Sequence, residues 1–112
     1  MKRFFAAVLA AGLCSGVVAL HAQPALDTGA AEALTKKSGC MKCHSVSAKK
    51  DGPSFKETAG KYKGKADAEQ KLYTHLSTNP KIKVDGKEEL HESLKTKNDA
   101  EIKNVIQYIL SR

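Results

Sequence analysis

The chain has 112 residues and a formal charge of +7, with 19 Lys or Arg against 12 Asp or Glu, and it has no Trp. A chain of this length holds one core and buries roughly two-thirds of its surface, so it is read as a single domain. The basic excess is mostly Lys, a diffuse and strongly hydrated charge, and aromatics for base stacking are few; this argues against nucleic acid and for an acidic protein partner or an anionic surface.

The N-terminus has the pattern of a secretory signal peptide. Lys2 and Arg3 form a charged start, residues 4–20 are apolar or small, and Ala22 stands before Gln23-Pro24. Such a segment is removed on export and is not a stable membrane span. The expected organisation is therefore a signal peptide at 1–22 and one domain at 23–112, delivered to the periplasm. Cys14 lies inside the leader behind Leu13, where a lipoprotein would need a small residue. Without Lys2 and Arg3 the formal charge falls to +5, and Cys40 and Cys43 are the thiols that remain.

Four helices are expected in chain order. The first covers 28–37, capped by Asp27 or Thr28, with Ala30, Ala33 and Leu34 on one face. Ser38-Gly39 ends it and leads into Cys40-Met41-Lys42-Cys43-His44. A second, at 54–61, follows Gly52-Pro53. A third, at 66–77, carries Leu72, Tyr73 and Leu76 and stops before Asn79-Pro80, because the residue before proline resists the helical region. A long polar loop at 79–98 holds a helical turn near 88–94. The last helix starts at Asn98, whose spacing to Glu101 resembles a capping box. Ile102, Val105, Ile106, Ile109 and Leu110 then recur at helical spacing. Nothing suggests strands beyond short extended pieces.

C-x-x-C-H at 40–44 is the attachment signature of a c-type haem: two thiols become thioethers and the adjacent His binds iron. A zinc site would need two further ligands, and no second Cys pair exists. A redox dithiol would want a βαβ context, which is absent.

The layout of 23–112 resembles the small bacterial monohaem class I cytochromes c. The likeness rests on a leading helix that runs into Cys40-Met41-Lys42-Cys43-His44, then Gly52-Pro53, Lys-rich helices and an amphipathic last helix. The resemblance implies an all-α fold of about four helices around one covalent haem c with its iron, the first and last helices crossing closely. Gly29, Ala30 and Ala33 would supply the small surface at the crossing and Tyr108 its aromatic partner. Cys40 and Cys43 carry over as thioether sites and His44 as proximal ligand. Pro53 carries over as the residue whose carbonyl accepts the His44 N–H, a contact that orients the ring and raises its basicity.

The chain departs from the family on the distal side. No Met follows Met41, which is tethered three residues from His44 on the proximal side. Two His follow His44, and His91 lies about where the family places its Met. The expected ligands are His44 and His91, with His75, Lys83, an Asn or an open site as alternatives. Met ligation raises haem potential, so a bis-histidine site is expected at lower potential. The expected function is one-electron transfer without substrate chemistry, not an enzyme activity. An acidic redox partner would dock on Lys36, Lys37, Lys42, Lys49, Lys50 and Lys56. A gas or redox sensor with a displaceable distal ligand and a haem subunit of a larger oxidoreductase are the alternatives.

Overall fold

In the computed structural model, which describes residues 16–17 and 23–112, Asp27 caps helix α1, Thr28–Lys37, by accepting a hydrogen bond from the Ala30 N–H at 2.9 Å. The expected signal peptide lies outside the described residues apart from Gly16 and Val17. After α1 comes one 3-10 turn, Cys40–Lys42. Helix α2, Phe55–Tyr62, starts on a complete capping box: Ser54 Oγ accepts from the Glu57 N–H at 3.1 Å, and the Glu57 carboxylate accepts from the Ser54 N–H at 2.7 Å. Helix α3 is Ala68–Ser77 and α4 is Asp99–Leu110. No described helix is long and apolar enough to cross a membrane.

The core is built around α4. Its Ile102, Val105, Ile106, Tyr108 and Ile109 are buried, and α4 packs on α1, α2 and α3. Ala31, Phe55, Leu72, Leu76 and Leu94 complete the cluster. The 3.6-residue spacing in 102–110 therefore marks the buried stripe correctly. Tyr108 stands at the crossing with α1, as expected. Its hydroxyl donates to Glu32 at 3.4 Å, and its ring meets Phe55 edge-on with centroids 5.9 Å apart.

The face that α1 presents differs from the expected one. Gly29, Ala30 and Ala33 are exposed, while Ala31, Thr35 and Ser38 are buried. The cause is a long-range clamp. Asp27 N–H donates to Asn104 Oδ1 at 2.9 Å, and Asn104 Nδ2 donates back to the Asp27 carbonyl at 2.8 Å. This pair fixes the rotation of α1 against α4 and turns the 31/35/38 stripe inward.

The loop before α4 also differs. The expected helical turn at 88–94 is absent. Instead β1, Lys81–Val84, pairs antiparallel with β2, Lys87–Leu90, matching Lys81 to Leu90 and Val84 to Lys87. Asp85 and Gly86 both take positive φ, 50° and 77°, the requirement of a two-residue hairpin turn that Asp-Gly meets at low cost. Asn98 caps α4, accepting from Ala100 N–H at 2.9 Å and Glu101 N–H at 3.4 Å. The box is only half made, because the Asn98 N–H and the Glu101 carboxylate both go to the Thr96 hydroxyl.

Ala31 is fully buried and Ala33 exposed. Ala31→Leu should therefore cost about 1–3 kcal/mol by overpacking, and Ala33→Leu should stay within about 0.5 kcal/mol. Denaturant unfolding of the two variants checks this, and the reverse order would restore the face expected from sequence.

Candidate functional site

Gly39 ends α1 in the left-handed region, φ 76°, and its N–H bonds the Lys36 carbonyl at 3.0 Å. Glycine reaches that conformation without a Cβ penalty. The reversal throws Cys40 into the short turn, where the Cys40 carbonyl accepts from both Cys43 N–H at 3.2 Å and His44 N–H at 2.9 Å. Cys40 is half-buried and Cys43 exposed, and the two thiols are not joined to each other. Burial pushes the Cys40 thiol above its ordinary range, with Glu92 adding to it.

The segment after His44 folds back beneath its ring. Gly52 N–H bonds the Cys43 carbonyl at 2.8 Å, and Phe55 N–H bonds the Ser45 carbonyl at 2.9 Å. His44 Nδ1 donates to the Pro53 carbonyl at 2.7 Å. A carbonyl can only accept, so Nδ1 carries the proton and the free lone pair is left on Nε2. Phe55 stacks on the imidazole at 5.9 Å and 25°. A Cβ on Gly52 would lie 2.6 Å from His44 Cε1. The absence of a side chain there is what lets the ring sit down on the loop.

His91 comes to the same place from the other end of the domain. It follows β2 directly, and its ring centroid is 6.1 Å from that of His44, the planes at 62°. Its Nδ1 is buried without a hydrogen-bond partner. His75, on α3 between the buried Leu72 and Leu76, has its centroid 4.1 Å from the His91 ring. Burial pushes His91 down to about 4, with His75 and His44 adding to the shift. His75 is lowered likewise by burial, then by His44 and Lys61. Both imidazoles are thus neutral near pH 7, the form that offers a lone pair to a metal.

The structure puts His44 in contact with Pro53, sets the His91 ring beside that of His44, and carries Cys40 and Cys43 on the turn that leads into His44. Lys83 is exposed on β1, and Met41 is half-buried against the core. Among the described residues no group of three or more His, Cys, Asp or Glu is gathered as for a zinc ion. The donor set instead fits a c-type haem: two unjoined thiols, one imidazole oriented by a carbonyl, and a second with an orphaned ring nitrogen. Gly52 and Phe55 were not singled out from sequence. The Gly52-Pro53 pair was the available signal, but only the Pro53 carbonyl was given a role toward His44.

Residues 28–112 match the family model for cytochrome c. Cytochrome c-552 of Hydrogenobacter thermophilus is 39% identical over 87 residues, covering 75% of this chain and 83% of that protein. Cytochrome c2 of Rubrivivax gelatinosus is 37% identical over 78 residues, 69% of this chain and 91% of its own. The crystal structure of the class 1 cytochrome MtoD from Sideroxydans lithotrophicus ES-1 superposes with a TM-score of 0.74 at 47% identity, covering 78% of this chain and 97% of that one. Wild-type Nitrosomonas europaea cytochrome c552 follows with a TM-score of 0.56 at 29% identity, covering 71% and 96%.

Gly52→Ala should displace the His44 ring and lengthen its bond to Pro53. The His44 Nδ1–H should then exchange faster with solvent by NMR, whereas unchanged exchange would show that the loop yields without moving the ring.

Proposed function

The chain belongs to the cytochrome c family, with a class I fold and a covalent haem c, and on that premise we propose that it is a periplasmic one-electron carrier with His44 and His91 as axial ligands. Cys40 and Cys43 are the thioether sites, and Pro53 orients His44. Residues 1–22 serve as the export signal. The bound haem supplies a ferric/ferrous couple; the chain supplies its orientation, its shielding and its docking surface.

The observation that carries the ligand reading is the 6.1 Å between the His44 and His91 centroids. At that spacing both imidazoles could hold one metal ion, each through a metal–nitrogen bond of about 2.0 Å. The neutral state of His91 and its unpartnered Nδ1 support the same reading. Imidazole in place of Met favours the ferric state and a lower potential. With His44 and His91 both holding the metal, small molecules would be kept from it, which favours outer-sphere electron transfer.

Lys36, Lys37, Lys42, Lys49, Lys50 and Lys56 are exposed around the attachment turn, and Lys50 Nζ donates to the Met41 carbonyl at 2.7 Å. A Lys-rich face of this kind suits a transient encounter with an acidic redox partner, in which charge sets the on-rate.

His91→Ala should turn the low-spin holoprotein high-spin or open it to carbon monoxide; optical and resonance spectra like those of the wild type would rule out His91 ligation. The rate of electron exchange with the native partner should fall as salt rises, and a rate independent of ionic strength would remove the Lys-docking reading.

A further inference from the structure

We propose that Asn79 is the positioning residue of the distal imidazole, its side-chain amide closing the neck of the β1–β2 hairpin onto His91. This deepens the His44/His91 reading and rests on it. The chain leaves α3 at Thr78, runs out along β1, returns along β2 and arrives at His91. Across that neck the His91 N–H donates to the Pro80 carbonyl at 2.8 Å. Asn79 Nδ2 donates to the His91 carbonyl at 3.0 Å. Two consecutive residues thus hold both backbone polar groups of His91.

The segment beyond is held as well. Leu94 N–H donates to the Leu76 carbonyl at 2.8 Å, and Lys95 N–H donates to the buried Ser38 hydroxyl at 2.9 Å. His91 is therefore tied to the end of α3 before and after its own position, with its ring against His75 on that helix. The Pro80 and Leu76 carbonyls are backbone groups that any sequence supplies. The Asn79 amide is a side-chain choice. A residue needed only to end α3 before a proline has no use for a bond to a carbonyl twelve residues on. Every residue of β2 is exposed and β1 half-buries only Ile82 and Val84, so little apolar burial keeps the neck shut. A single hydrogen bond at the neck then has a direct effect on how often the distal imidazole departs.

The test uses the haem-loaded protein. Asn79→Ala removes the amide, and Asn79→Asp keeps the size while losing the donor. Capture of carbon monoxide by the ferrous protein reports departure of the distal ligand. Both variants should capture it roughly 2- to 10-fold faster than the wild type, the factor that one net hydrogen bond supplies. Asn104→Ala is the structural control. It removes an exposed Asn-to-carbonyl bond at the Asp27 clamp, away from the site, and should lower the unfolding midpoint while leaving carbon monoxide capture unchanged. Capture by both Asn79 variants at the wild-type rate, or an equal acceleration by Asn104→Ala, would overturn the proposal. His91→Ala in the same assay separates the two levels. If it opens the site while the Asn79 variants do not, only the role of Asn79 falls. If it captures no faster than the wild type, His91 ligation itself falls, and Asn79 with it.

Discussion

Everything in this small domain rests on the burial of one helix. α4 is the only helix that packs on each of the other three described helices, and its Val105 and Ile106 are fully buried. Burying an aliphatic side chain is worth about 1.5–3 kcal/mol, so α4 is the main source of cohesion in a chain with few aromatics. The same helix reaches the site through rings. Tyr108 meets Phe55 edge-on, and Phe55 stacks on His44. The His44 imidazole is thus packed against a ring that belongs to the core, and its orientation is set by the fold as well as by the loop around it.

The two sides of the site are built by different physics. The His44 side is local. Cys40, Cys43 and His44 lie on one turn started by Gly39, and Gly52 and Pro53 fold back beneath the ring within ten residues. The His91 side is assembled across the chain, from a hairpin whose neck is stitched at Asn79 and Pro80 and from the end of α3, where His75 abuts His91. A local site tolerates little change in spacing. An assembled one depends on contacts between segments far apart in the chain.

Legibility in the sequence follows the same division. The bounds of α1 and α4 were readable because Asp27 and Asn98 cap them and α4 repeats its apolar residues every three to four positions. The inward face of α1 was not readable. Ala30, Ala31 and Ala33 offer no contrast, the buried partners Thr35 and Ser38 are polar, and the rotation is set by Asn104, 77 residues from Asp27. The hairpin was missed although Asp85-Gly86 is a strong turn signal. β1 alternates half-buried Ile82 and Val84 with exposed Lys, but β2 is exposed throughout and carries no period-two pattern. Cys40, Cys43 and His44 were legible as a motif, and Pro53 only through the family resemblance. The close approach of His44 to Gly52 leaves no mark in the sequence beyond the glycine itself.

On the proposed ligation, two histidines, one from the attachment turn and one from the end of the hairpin, hold the same iron. Nitrogen NMR of the ferric holoprotein labelled at its histidines tests it most directly, because an imidazole bound to paramagnetic iron is shifted far from the ordinary range. Strongly shifted ring nitrogens assigned to His44 and His91, with His75 near the normal range, are the predicted result. A shifted pair of His44 and His75, or His44 alone, would contradict it.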